Sequence, residues 1–397
     1  MAFQSLTGMQ YLQCEIACKA DKAFEKATWN ERLDHFNSLD FTNPNTFKSA
    51  SNPVGLRAAV LAYTDTLDGL PTGYMVSLDA CSSGMQILSL LVECPTSFSL
   101  CGGDSDQCVD SYVEIYDSMN LHGILTRKQV KAAIMTSLYG SVAMPELTFG
   151  ANVDLFYDTM EKMAPGAWDL NQGLQELWDD VPGATYTWVL PDNFHACIET
   201  KDKEKLEFSL MGKPYALVHK VDGRPEFHKG LGPNLIHSID GMVVREMLRR
   251  CMFDKGRITE VINAITAISQ GANEVTEHDK MVKRLWGHYK DTGFLSARIL
   301  DHITVENIGL TDSMVIAELI QSMPDEPFDV VTVHDCFRAH PNHGNDLRRQ
   351  YNRIMADITQ STILKSMASQ VAQKKVSAKK VGKIDRDSIL NANYMLA

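Results

Sequence analysis

The sequence predicts an α+β fold, on three observations. Apolar residues recur at helical spacing through the first 70 residues and again over 258–320. Short β-branched and aromatic runs stand apart from them, notably at 74–78 and within EPFDVVTVHD (326–335). Those two runs end on acids, Asp79 and Asp335, with a long helical block between them.

Trp29, Leu33 and Phe36 share one helical face, as do Leu56, Ala59, Val60 and Tyr63, and Asn52–Pro53 supplies a cap and first residue for the second of these helices. A strand follows over 74–78, then Asp79 and small residues, with a helix restarting near Ser83 (Met85, Leu88, Val92). Residues 95–108 read as loop. SYVEIYDSM is a short helix, and LTRKQVKAAIMTSLYGS a longer one stopped by Gly140. Two more helices are marked by Val153, Phe156, Tyr157 and Met160, and by Leu170, Leu174, Leu177 and Trp178. ATYTWVLPDNF has strand character, and KLEFSLMGKPYALVHKV reads as a hairpin turning at Met211–Lys213. GPNLIHSIDGMVVREML returns to helix, with Pro233 in its first turn. The tail carries a basic run from Lys374 to Lys383.

Hydrophobic residues are 44% and charged residues 22% of the chain, as in ordinary soluble globular proteins. No apolar run approaches the roughly 18 residues of a membrane span, and MAFQSLTGMQ lacks the basic start of a secretion signal. An intracellular setting with no membrane partner is expected. Nine cysteines, an odd number, fit a reduced compartment. Cys94, Cys101 and Cys108 recur every seven residues, but no C-x-x-C pair exists, so no structural zinc site is expected. The net charge of −12 weighs against a nucleic-acid binder, although local patches can differ from the total.

If the strands ending at Asp79 and Asp335 are sheet neighbours, two carboxylates meet at one edge. Such a pair suits magnesium, which commonly takes one or two carboxylates plus substrate phosphates, and two ions together can stabilise an attacking and a leaving oxygen. Arg127 and Lys131 lie one helical turn apart and face the same way. Cations at the start of a helix oppose its dipole, a placement that makes sense if they meet a polyanion such as a triphosphate. Taken singly, these features have ordinary explanations: aspartates turn and cap chains, and an Arg–Lys pair usually marks a solvated face. Their combination narrows the choice.

DACSSGMQILSLL, RKQVKAAIMTSLYGS and VHDCFRAHP occur in the order, and with the internal spacing, of the three polymerase motifs of the single-subunit, bacteriophage-type RNA polymerases, which the chain resembles from about residue 70 to its end. TWVLPDNFH, GPNLIHSIDG and the terminal RDSILNANYMLA, similar to the family's C-terminal foot, extend the match. The resemblance implies a right-hand palm (an antiparallel sheet with helices) and helical fingers, without thumb or N-terminal domain. It implies a helical segment at 1–70, palm at 71–108, fingers at 109–236 with a specificity hairpin near 200–222, and palm again at 237–397 with a helical insertion.

The same resemblance implies DNA-directed RNA synthesis with two magnesium ions. Asp79, Asp335 and the Ala80 carbonyl would hold metal, and His334 would flank the site. Lys131 and Arg127 would contact the triphosphate, with Lys131 also donating a proton to pyrophosphate. Tyr139 would sit under the nascent base pair, His237 beside it in nucleotide selection, and Tyr112 would line the fingers. Related DNA polymerases place a glutamate five positions after the first aspartate, where it blocks a 2′-hydroxyl. Gly84 stands there and has no side chain to block it.

The family also carries a thumb and a D-x-x-G-R arginine before the first aspartate, where this sequence has 78 residues. VDGRP (221–225) lies on the wrong side of the catalytic helix and reads as a hairpin turn. The resemblance therefore points to the large subunit of a split, two-subunit phage RNA polymerase. Its implied partners are template DNA, nascent RNA, NTPs, a smaller subunit with the absent parts, and a factor that opens duplex DNA, all in the cytoplasm of an infected bacterium. A non-catalytic subunit keeping the fold, and an HD-type phosphohydrolase built on His334–Asp335, are the competing readings.

Overall fold

A computed structural model describes residues 2–225, 230–270 and 279–397 of the chain. The N-terminal part forms α1 (Gly8–Ala20), α2 (Trp29–Ser38), α3 (Pro44–Lys48) and α4 (Pro53–Leu67). Thr7 and Thr28 open α1 and α2 with capping boxes, and Asn52 caps α4 ahead of Pro53. Leu12, Ile16, Phe36, Leu56 and Ala59 bury against one another as a small core. Trp29 turns the other way into the main core, donating its indole N–H to the Asn393 carbonyl at 3.2 Å.

Next come β1 (Val76–Asp79), α5 (Ser83–Leu91) and α6 (Pro95–Leu100). Helix α6 replaces the start of the loop expected at 95–108, because Pro95 occupies a first-turn position where its missing N–H is no loss. The helices α7 (Ser111–Met119), α8 (Arg127–Ser137), α9 (Ala143–Phe149), α10 (Val153–Met163) and α11 (Pro165–Glu176) follow. Strand β2 (Thr185–Val189) pairs with β3 (His195–Glu199), a strand the sequence did not announce. The long hairpin β4 (Lys201–Leu210) and β5 (Lys213–Asp222) turns on Met211 and Gly212, both at positive φ (53° and 73°), as a type I′ turn requires. VDGRP is not a hairpin turn. It closes β5 and leaves it, and Arg224 donates to the Trp178 carbonyl at 2.7 Å.

Helix α12 (Leu231–Cys251) runs through the main core. Of the helical stretch expected over 258–320, residues 271–278 lie outside the described residues. The rest forms α13 (Lys255–Ser269), α14 (Lys280–Thr292) and α15 (Ser313–Gln321), with only short 3-10 turns between α14 and α15. This block has its own core, including Val261, Leu285, Ile299 and Ile316. The chain ends with β6 (Val330–Val333), β7 (Cys336–Ala339), α16 (Gly344–Gln360), α17 (Ile363–Ala372) and α18 (Arg386–Leu390). The fold is α+β. Its central antiparallel sheet has the order β1-β7-β6, so the first and last thirds of the chain meet there. Among the described residues no helix is long and apolar enough to cross a membrane.

Candidate active site

The sheet brings the two aspartates together. β1 pairs with β7 from Val76–Ala339 to Asp79–Cys336, and β6 pairs with β7 up to Val333–Cys336. His334 and Asp335 are thus the two-residue loop of a hairpin rather than the end of a long strand, and only Val330–Val333 of the expected 326–335 run is extended. The Ala80 N–H donates to the Asp335 carbonyl at 3.2 Å, tying the loop to the end of β1. His334 takes φ 55°. That conformation is uncommon outside glycine, but a tight hairpin loop needs positive φ at such a position.

The last residues of the chain brace this edge. Asp79 and Ala397 exchange backbone hydrogen bonds at 3.2 and 3.1 Å, and the Cys81 N–H donates to the Met395 carbonyl. The buried Gln86 amide donates to the Cys81 and Met395 carbonyls and accepts from the Tyr351 hydroxyl at 2.8 Å. These bonds fix the backbone at Asp79 and Asp335. Burial, and then the facing charge of Asp335, push the Asp79 carboxyl up despite the opposing pull of Lys26 and Lys131. A third carboxyl, Asp240 on α12, is raised to about 6 by burial and then by Asp335, with His334 working the other way.

Helix α8 opens with a Thr126–Gln129 capping box and buries Val130, Ala133 and Ile134, which leaves Arg127 and Lys131 on another face. Arg127 is ion-paired to Asp110. Asp110 in turn caps α7, accepting from the Tyr112 and Val113 N–H groups at 3.1 and 3.4 Å. The Lys131 ammonium lies 4.8 Å from the Tyr112 ring centroid and has no ion pair among the described residues.

The helix stops at Ser137, earlier than expected, so Tyr139 belongs to the terminal turn that Gly140 closes at φ 76°. Its ring stacks on His237 at 4.7 Å, with the two planes 18° apart. The space over Gly84, which the sequence reading left open, is taken by the same tyrosine. A Cβ built at Gly84 would lie 2.8 Å from the Tyr139 hydroxyl. Glycine here admits the phenol.

Asp79, Ala80, Gly84, Tyr112, Lys131, Tyr139 and Asp335 line one cavity of about 250 Å³. Arg127 lies on an adjoining cavity of about 710 Å³, and His237 is reached through its stack with Tyr139. Sequence reasoning missed Lys26 and Asp110, which border both cavities, and the supports Gln86, Tyr351 and Asp240. Asp110 could have been found as the cap ahead of SYVEIY; Lys26, in a short 3-10 turn, has no comparable signal.

Among the described residues, no group of three or more His, Cys, Asp or Glu converges on one point. Two carboxylates held side by side nevertheless fit a hard divalent cation whose remaining positions are filled by water and phosphate oxygens. Compared with known proteins, the chain matches no family model and no curated protein sequence.

Proposed function

We propose that the chain is the catalytic subunit of a DNA-directed RNA polymerase of the single-subunit phage type. The observation that carries the reading is convergence: Asp79 and Asp335, distant in sequence, face one cavity together with Lys131 and Tyr139. In this reading the β1-β7-β6 sheet is the palm and the helices α7 to α11 belong to the fingers. Asp79, Asp335 and the Ala80 carbonyl would hold the metal, and bound magnesium would stabilise charge on the attacking and leaving oxygens. The RNA 3′-hydroxyl gives up its proton to solvent, and its oxygen forms a bond to the α-phosphorus. The bond from that phosphorus to the β-phosphate oxygen breaks, and pyrophosphate leaves with the electron pair. Lys131, over the Tyr112 ring and without an ion pair among the described residues, would hold the departing phosphates and can give them a proton. Arg127, oriented by Asp110, adds charge from the adjoining cavity.

The Tyr139–His237 stack forms a flat platform beside Gly84 on which a base pair can rest. The hydrolase alternative needs its His–Asp pair among helices bearing further ligands; the pair sits in a strand hairpin, which favours the polymerase reading. We propose with it the partners that the resemblance implies: template, RNA, a smaller second subunit and a DNA-opening factor. The exposed Leu206, Phe208, Leu210 and Leu217 of the β4–β5 hairpin offer such a partner a surface. The test is release of pyrophosphate from NTPs on a primed template by the chain purified with whatever accompanies it. Template-dependent release supports the proposal, and template-independent hydrolysis of NTPs overturns it.

A further inference from the structure

The negative charge of the chain is unevenly spread. Residues 141–180, which build α9, α10 and α11, carry eight acids against Lys162 alone, and so hold seven of the twelve excess negative charges. All eight are exposed, and among the described residues only Asp180 has an ion pair, with Lys374. Such a surface repels nucleic-acid phosphates and draws in a partner of opposite charge.

Two cavities of about 630 and 320 Å³ adjoin there, and Trp168 and Gln172, one turn apart on α11, line both. Gly166 lets this wall approach the start of α6: a Cβ built on it would lie 2.3 Å from the Cys94 Cβ. Ser97 on α6 accepts from the Ala167 N–H at 3.2 Å, so the wall is fixed. The half-buried Trp168 ring meets buried Phe156 edge-on at 6.3 Å and tilts against Tyr157 at 5.9 Å. Neither its indole N–H nor the Gln172 and Gln175 amides make a hydrogen bond among the described residues. The charged residues that line the two cavities, Glu161 and Asp169, are both acids. A braced indole, unused amides and two carboxylates suit the backbone and cationic side chains of an extended peptide.

One edge of the larger cavity already has such a neighbour. After α17 the chain runs past it over 375–385 without helix or strand. Lys380 pairs with Glu93 at 3.6 Å, and the Val381 N–H donates to the Val92 carbonyl at 2.8 Å. Val381 lines the cavity and is still 51% exposed.

We propose that this groove docks an extended, lysine- or arginine-bearing segment of a partner protein. A cationic side chain lies over Trp168 with its charge met by Glu161 and Asp169, and peptide carbonyls take the indole N–H and the Gln172 amide. The proposal is independent of the nucleotidyl-transfer reading.

The test measures, by fluorescence anisotropy on the full chain, binding of a labelled lysine–proline repeat peptide, a glutamate–proline repeat peptide and a single-stranded oligonucleotide, each alone. The lysine peptide should bind and the glutamate peptide should not. Glu161→Lys combined with Asp169→Lys should weaken the lysine peptide on the order of ten-fold, because two surface ion pairs become like-charge contacts. Trp168→Leu should cost a similar factor. Trp168 also packs on Phe156, so the double reversal, confined to exposed residues, decides the matter if Trp168→Leu fails to fold. Glu176→Lys, on the same acidic face but outside both cavities, should cost no more than about two-fold. Binding of the lysine peptide that survives the double reversal, or that falls as far in Glu176→Lys, overturns the proposal. So does an oligonucleotide whose affinity falls in Trp168→Leu. In the complex as purified, carbodiimide coupling should join Glu161 or Asp169 to lysines of another polypeptide; coupling confined to lysines of this chain overturns the proposal.

Discussion

Two charged clusters in this molecule are built on opposite plans. Around Asp192, every charge is answered: the buried carboxylate binds Arg245 at 2.5 Å and Arg249 at 3.0 Å, and Arg249 also binds the buried Glu246. Glu246 accepts from Ser296 and from the Ala297 N–H, and Arg250 reaches Asp357. That network fastens the helical block with its separate core onto α12. At the edge of the sheet the plan is reversed. Asp79 and Asp335 line one cavity, and Lys26 and Lys131 line it too without an ion pair among the described residues. Burial raises the carboxyls in both places; the arginines then bring Asp192 below its ordinary value, whereas Asp79 stays above. The closed cluster holds the fold together; in the proposed reading the open one binds the metal and the nucleotide phosphates.

The contrast sets opposite expectations for conservative substitutions. The largest effect falls on activity: Asp79→Asn or Asp335→Asn should reduce RNA synthesis by orders of magnitude. The melting temperature should hold or rise, because a like-charge contact is removed. Asp192→Asn should do the reverse, lowering stability by about 3–5 kcal/mol in denaturant titration because two arginines lose their counter-charge, while the folded fraction keeps its specific activity. The Asp192 carboxyl is depressed on folding, so its stabilisation is present above the ordinary carboxylate range and is lost as pH falls through its folded value. The gap between wild type and Asp192→Asn should therefore close in acid.

Smaller effects sharpen the picture at the Tyr139 platform. Tyr139→Phe keeps the ring on His237 and removes the hydroxyl, so the rNTP/dNTP ratio of kcat/KM should fall on the order of ten-fold. Gly84→Ala should move it in the same direction, because its Cβ displaces that hydroxyl; an unchanged ratio in both would dissolve the pocket. Smallest is Asp240→Asn. The Asp240 carboxyl is raised to about 6 by burial and by Asp335, so its charged form opposes folding above that pH and its neutral form does not below the ordinary value. Without divalent cation, Asp240→Asn should stabilise the protein by on the order of 1 kcal/mol at pH 7.5 and leave it unaltered near pH 4.

The sequence foretold this architecture where local chemistry decides it. Asn52–Pro53 had to start a helix, Met211–Gly212 had to turn a hairpin, and Asp79 had to stand at a strand end. It was weaker where pairing is long-range. Cys336–Ala339 is a four-residue strand recognisable only from its two neighbours, so Asp335 read as a strand end instead of a hairpin loop. Of the residues singled out by motif, Asp79, Asp335, Lys131 and Tyr139 share a cavity. Lys26 and Gln86 were not found, because their roles come from what the fold sets beside them. Gly84 was singled out for its missing side chain, but the residue that uses the space, Tyr139, is visible only in three dimensions.

The most direct measurement is primed-template RNA synthesis in magnesium by the complex carrying this chain, comparing wild type with Asp79→Asn, Asp335→Asn and Asp192→Asn at equal folded concentration. The open cluster predicts template-directed RNA from wild type and Asp192→Asn, and loss by orders of magnitude in the other two. Near-normal elongation by either Asp79→Asn or Asp335→Asn would contradict the account.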